Sequence, residues 1–207
     1  MRTGQAFKGL MVAFLLVAAS SLAASASDVY MLDSSHTSAV FKVKHLAVSK
    51  VTGTFSDVSG NFSLDRKKPE KSFVEVEIKT DSVNTNNQKR DEDLRSENFF
   101  NVSIYPVMRF RSKMITAVGK DAYKVTGDFS LNGVTKTITI QVNQTGEGKD
   151  PMGNQRIGFE ASFSINRSEY GMKPHMAVGD AVNISFETEG VLQKGKMKEE
   201  NRGSGSK

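Results

Sequence analysis

Between residues 28 and 192 the sequence alternates apolar and polar side chains with a period of two. That alternation limits the fold more than any other feature. Phe41 and Val43 alternate with Lys42 and Lys44, and Val74, Val76 and Ile78 with Glu75, Glu77 and Lys79. Tyr123, Val125, Phe129 and Leu131 follow the same rule, as do Ile138, Ile140 and Val142. So do Ile157, Phe159, Ala161, Phe163 and Ile165, and Val182, Ile184 and Phe186. Successive side chains of a strand point to opposite faces, so each run reads as a strand with one dry face and one wet face. Shorter segments at Val51–Phe55, Phe62–Leu64 and Met108–Ser112 bring the expectation to about eight strands.

The linkers carry turn chemistry. Asn132-Gly133 between two alternating runs is a type I′ hairpin signal. Asp150 to Asn154 holds Asp, Pro, Gly and Asn between two more runs. Asp57 to Gly60 reads as the turn joining two short segments. Short links imply antiparallel neighbours. One stretch breaks the pattern: residues 85–96 are polar except for Leu94 and read as a short helix with Leu94 inward, or as a long loop. Phe99 and Phe100 then return the chain to the core. The expected class is all-β, either a sandwich or a closed barrel. Few of the strands carry edge protection such as inward charges or proline, which favours closure.

Composition removes several functions. There is no cysteine, so disulfides, thiolate metal sites and a thiol nucleophile are excluded. The net charge of +5 suggests a polyanion partner. Arg2 and Lys8 supply two of those charges and residues 194–207 supply three, which leaves residues 27–193 balanced and the case for nucleic acid without support. Residues 1–26 read as a cleavable secretory signal: a basic start, the apolar run Leu10–Ala18 and the small-x-small triplet Ala24-Ser25-Ala26. Nine apolar residues fall well short of the ~20 needed to span a bilayer. Export without cysteines suits a bacterial periplasm. Residues 194–207 lose all periodicity and read as a flexible polar tail, leaving 27–193 as the folded domain.

No catalytic motif stands out. A Gly-rich phosphate loop, a G-x-S-x-G elbow and an H-E-x-x-H helix are all missing from the sequence. His36 and His45 lie nine residues apart, about 30 Å on a straight strand, so they cannot share a metal there. Ser35, His36 and Asp33 are too close on an extended strand to form a triad. His175 with Met172 and Met176 offers a soft-metal set or simply a loop. Asp91-Glu92-Asp93 reads as a solvated face or a partner of Arg90 and Arg95. The sequence therefore reads as a non-enzyme with no catalytic residue, no metal site and no cofactor.

Several blocks resemble the YceI-like proteins, in order and over nearly all of residues 29–191. They include Asp33-Ser34-Ser35-His36-Thr37, Val51-Thr52-Gly53-Thr54-Phe55, Arg90 to Ser96 with Phe99-Phe100, Tyr105-Pro106, Gly127 to Lys136, and Ile165-Asn166-Arg167-Ser168-Glu169-Tyr170-Gly171. Thr37 and Tyr170 depart from the usual Ser and Phe and preserve the chemistry. The resemblance implies an extended, eight-stranded, lipocalin-like antiparallel barrel. It also implies an elongated apolar tunnel for a polyisoprenoid or similar amphiphile, and a periplasmic home.

On that reading the dry face lines the tunnel through Phe41, Val43, Phe55, Val76, Ile78, Phe110, Phe129, Leu131, Ile138, Ile140, Phe163, Ile165, Ile184 and Phe186. Arg167 and Asn166 follow directly on Ile165, at a strand end, and with His36 they are the head-group candidates. An ion pair of Arg167 with Glu169 or Asp180 is the structural alternative. Periodicity alone favours a filled core, the commonest reason for such alternation, since an eight-stranded barrel is just wide enough to be packed by its own side chains or to hold one small ligand.

Burying an isoprenoid tail from water gains roughly 0.8 kcal/mol per carbon, and a membrane already supplies that gain. Transfer from bilayer to tunnel should therefore be near balance. This suits a carrier or reservoir in transient contact with a membrane. A homodimer is left open. The other readings are a fatty acid or fatty amide binder, a structural or stress protein with a full barrel, and a lipid-modifying enzyme using His36 or His45.

Overall fold

The computed structural model describes residues 28–193. The expected signal segment, residues 1–26, and the expected polar tail, residues 194–207, lie outside them. Among the described residues the strands are β1 Val29–Leu32, β2 Ser38–His45, β3 Ser49–Phe55, β4 Val58–Ser63, β5 Phe73–Lys79, β6 Val83–Asn84, β7 Val107–Ala117, β8 Ala122–Leu131, β9 Val134–Lys149, β10 Gln155–Asn166 and β11 Val178–Leu192, with one helix, α1, at Gln88–Arg95. Every ladder is antiparallel. The order β1-β4-β5-β7-β8-β9-β10-β11 returns to β1, which closes a barrel of eight strands.

Closure depends on one long strand serving two partners. The C-terminal end of β11 pairs with β1 through Gly190–Leu192, and its remainder pairs with β2 from Val178 to Glu187. β1 and β2 thus behave as a single strand broken at Asp33, whose side chain caps a short 3₁₀ turn by accepting from Ser35 N. β2, β3 and β6 extend the wall beyond the closed ring, and α1 packs beside β6. The barrel therefore has a ring end, near β1, and an extended end, near α1 and the β2–β3 hairpin.

Asp57 to Gly60 is not the expected turn. Val58, Ser59 and Gly60 belong to β4, which nearly continues β3 and pairs with β1 and β5. Gly60 is there for a close approach: a Cβ on it would lie 2.2 Å from the backbone oxygen of Glu75 on β5. The β8–β9 hairpin turns through Asn132 and Gly133 at φ 49° and 76°, as a type I′ turn requires. The β2–β3 hairpin also turns through two successive positive-φ residues, but these are Leu46 and Ala47, at φ 50° and 58°.

The polar stretch forms α1. Asn87 caps it by accepting from Arg90 N at 3.0 Å. Asp91 is buried and not solvated: it accepts from Thr85 N at 2.8 Å and from Thr85 Oγ1. Arg90 and Arg95 do not pair with the carboxylate run. Arg90 donates to Thr85, and Arg95 to the carbonyls of Asp81 and Val83.

Candidate functional site

The dry faces of the strands converge on one elongated apolar cavity of about 230 Å³. Its walls answer the choice between tunnel and packed core. Val76, Ile78, Phe163, Ile165, Ile184 and Phe186 have inward parity and line the cavity, yet they are only half-buried. A side chain in a filled core is fully covered, so these residues border unfilled space. On β8 the lining runs from Tyr123 to Leu131, which is about 27 Å along the strand. A strand tilt of ~40° reduces that to about 20 Å along the barrel axis.

Phe41, Val43, Phe55, Phe110, Phe129, Leu131 and Ile140 also line the cavity, so thirteen of the fourteen expected tunnel residues do. Ile138 does not. It is half-buried and packs against the core cluster, and the Phe110 ring lies over Gly127, its partner across the β8–β9 ladder. Further wall residues lie off the alternating strands: Leu94 of α1 and Phe99 and Phe100 after it, expected inward but not as tunnel lining, and Met172, expected in a loop. Their signal was isolation, each being apolar within a polar stretch.

The two ends of the cavity differ. At the ring end, aromatic rings form a chain. Tyr30 stacks on Phe62 at 5.1 Å, Phe62 meets Phe159 edge-on at 5.3 Å, and Phe159 meets Tyr123 at 6.5 Å. The buried hydroxyl of Ser63, also on the lining, has no partner among the described residues. At the extended end, Phe41, Val43, Leu94, Phe99 and Val178 separate the cavity from a polar vestibule. Lys44, His45, Asn87, Lys89, Arg90, Asp93 and His175 line that vestibule. Its fixed charges are three cations against the one carboxylate of Asp93.

Arg167 stands at this same end, on the cavity wall and 5% exposed. Its partners are backbone carbonyls: Nη1 donates to Lys173 O at 2.7 Å, Nε to Gly179 O at 3.1 Å and Nη2 to Val178 O at 3.4 Å. The Phe99 ring lies 5.7 Å from its guanidinium carbon. Neither expected carboxylate pairs with it. Glu169 is taken by Lys136 at 2.6 Å and Asn166 at 3.0 Å, and these contacts hold its carboxyl below the usual range. Asp180 accepts from Ser168 N and Oγ, which lowers its pKa as well. A guanidinium has five N–H donors. Arg167 uses three of them on neutral acceptors, and its charge, which also helps to lower the Asp180 carboxyl, stands beside an apolar cavity with no direct ion pair among the described residues.

The other head-group candidates are elsewhere. Asn166 is exposed and donates to Glu169. His36 is exposed on the outer wall, bonded to Asp33 at 2.9 Å, and it does not line the cavity. Asp33 N bonds Glu189 O, and Glu189 lies eight residues along β11 from Ala181, the partner of Asn166. That is about 26 Å, because the β1–β2 break carries His36 to the ring end.

Beside His36, Arg156 reaches Asp33 at 2.7 Å, Glu189 at 2.9 Å and Asp150 at 3.2 Å. Arg156 first, and His36 second, hold the Asp33 carboxyl down to about 2. Asp33, His36 and Glu189 bring ligand atoms within 4.8 Å of one another, and the Arg156 guanidinium already bridges the two carboxylates. Met172 and Met176 do not form a soft-metal pair with His175, because Met172 is buried on the cavity wall and Met176 is fully exposed.

A closed antiparallel barrel with a long, unfilled, apolar interior defines a lipocalin-like class of small β-barrel. Residues 30–190 match the model of the YceI-like domain. The chain belongs to the YceI-like family. A UPF0312 protein of Azotobacter vinelandii is 40% identical over 173 residues, covering 82% of this chain and 90% of its own. One from Pseudomonas putida strain W619 is 40% identical over 154 residues, covering 74% and 80%. Among solved structures, a Campylobacter jejuni YceI protein is similar with TM-score 0.66 and 32% identity over 73% of this chain and 90% of that one. A polyisoprenoid binding domain from Saccharophagus degradans shares the fold with TM-score 0.63 and 19% identity, over 79% and 98%.

Proposed function

We propose that the protein holds the hydrocarbon tail of a long-chain isoprenoid amphiphile, a polyprenyl phosphate or an isoprenoid quinone, and carries or stores it in the periplasm. One observation carries this reading: the cavity is long, unfilled and lined almost wholly by apolar residues, with Arg167 at one end and Ser63 at the other. Its ~20 Å axial length also exceeds the ~15 Å of one bilayer leaflet, which favours a tail longer than an ordinary acyl chain over the fatty acid or fatty amide alternative. The polyisoprenoid-binding neighbour shares the fold and agrees with this choice.

The head group sits at the extended end, where Arg167 offers donors to a phosphate or a quinone oxygen. Binding without turnover is part of the proposal. His36 is remote from the cavity, and the His45 ring has no side-chain hydrogen bond among the described residues, so nothing orients it as a base. Export rests on residues 1–26 and is tested by N-terminal sequencing of the protein from its host, which should begin after Ala26. Native mass spectrometry with solvent extraction of the same material tests the cargo. A released isoprenoid chain that exchanges with liposomes within hours is the expected result. An empty barrel, or one loaded only with short acyl chains, overturns the proposal.

A further inference from the structure

The tip of the β2–β3 hairpin presents apolar residues to water in a conformation that works against them. Val48 is 87% exposed and Leu46 59% exposed. Met176 is fully exposed and adjoins them, since Leu46 N donates to the carbonyl of Ala177 at 2.9 Å. Leu46 and Ala47 occupy successive positive-φ positions, a geometry that asparagine and glycine adopt readily and other L residues resist. The same chain satisfies the same requirement with Asn132-Gly133 at its other tight hairpin. A wedge of leucine, valine and methionine is therefore kept at the tip against both hydration and backbone preference.

Charge says what the wedge meets. Lys44 and Lys50 stand directly opposite each other in the β2–β3 ladder. Both are exposed, and among the described residues no carboxylate lies within ion-pair distance of either. Like charges across a ladder repel, and an anionic surface under the tip relieves that repulsion. Lys89 and Arg90 carry the positive charge on to the vestibule, and His45, at the base of the tip, lines it. The wedge, the lysine pair and the cavity mouth thus share one end of the barrel.

We infer that Leu46, Val48 and Met176 insert into an anionic bilayer, with Lys44 and Lys50 against its head groups, and that this contact sets the vestibule over the lipid. The inference rests on the lipid-carrier reading and names the surface through which the cargo passes. Interfacial binding of this kind combines a shallow apolar insertion with attraction to acidic lipids. Each lysine near such a surface contributes about fivefold in partitioning, so the pair contributes about 25-fold.

The sequence has no tryptophan, which supplies a clean probe. Val48→Trp and Met152→Trp each place a single indole on an exposed turn, at the extended end and at the opposite end respectively. Both are made in the same full chain, so any contribution from residues outside 28–193 is common to them. With vesicles of phosphatidylglycerol and phosphatidylcholine, the emission of the Val48→Trp chain should shift to the blue and that of the Met152→Trp chain should not. Vesicles of phosphatidylcholine alone should give a much weaker response.

Co-sedimentation of the unlabelled chain should fall at least tenfold with Val48→Asp/Met176→Asp and about 25-fold with Lys44→Gln/Lys50→Gln, all at exposed positions where the change should not lower thermal stability. Equal shifts from the two probes, no shift from either, or indifference to vesicle charge overturns the inference. No response from either probe, with a shift on adding cell extract freed of lipid, assigns the tip to a protein and overturns it too. Lipid content is read separately by extraction of the Val48→Asp/Met176→Asp chain. Retained isoprenoid with lost vesicle binding supports the surface, whereas an empty cavity in the unmodified chain counts against the carrier reading alone.

Discussion

Arg156 Nη1 lies 2.7 Å from Asp33 Oδ2, across 123 residues of sequence. The contact ties the start of β10 to the break between β1 and β2, where β11 changes partners and the barrel closes. It also fixes a pH dependence. The Asp33 carboxyl falls from 3.8 to about 2 in the folded chain, so between those values the unfolded chain binds more protons and stability rises with pH. The contribution is complete above about pH 4 and is lost as pH falls through about 2. Arg156→Ala should flatten the melting temperature against pH in that window and lower it at neutral pH. An unchanged acid profile would contradict the assignment.

Arg167 should discriminate among cargoes. A hydrogen bond to a charged group contributes about 1.5–3 kcal/mol. Arg167→Ala should therefore weaken a prenyl phosphate at least tenfold more than the matching prenyl alcohol, as measured by competition for the purified barrel. Three carbonyls lose their donor in the same variant, so thermal stability drops as well. Equal loss for both ligands would reduce Arg167 to a strut holding the loop of Lys173 and Val178.

The unfilled interior predicts unequal costs for one chemical change. Ile157 is 2% exposed and absent from the cavity wall, whereas Ile184 is half-buried on it. In lipid-free protein, Ile157→Ala should cost about 2–5 kcal/mol, the usual range for a packed core. Ile184→Ala should cost nearer 1 kcal/mol, because one side of its side chain already lacks neighbours. Urea unfolding of the pair decides this, and equal costs would mean that the interior is packed.

The hairpin tip should trade stability against vesicle binding. Leu46→Asn/Ala47→Gly relieves two left-handed residues at about 1 kcal/mol or more each, which should raise the melting temperature by about 4–8 °C in a chain of this size. The same variant loses apolar surface at the tip and should bind anionic vesicles less. A variant neither more stable nor less adherent would show that the tip carries no such conflict.

Much of the barrel was legible because period two reports which way a side chain faces. It placed β8, β10 and β11 and nearly all of the expected wall. It could not report whether the enclosed space is filled, since a tunnel and a core share one parity. Asp57–Gly60 misled because a glycine that admits a neighbouring backbone has the same letter as a glycine that turns a chain. Arg167 was found from its place after Ile165, but its partners are carbonyls, which no residue type announces. His36 is separated from Arg167 and from the cavity wall because a strand that breaks and resumes carries it to the opposite end of the barrel.

On the proposed carrier reading, the aromatic chain of Tyr30, Phe62, Phe159 and Tyr123 at the ring end would make the tunnel a ruler with a single stop. A tail entering from the α1 end would run until it met those rings, and any carbons left over would remain outside, each forfeiting about 0.8 kcal/mol. Short tails are under no such penalty. Selectivity should therefore be steep on the long side and shallow on the short side, with the break set by where Phe62 stands.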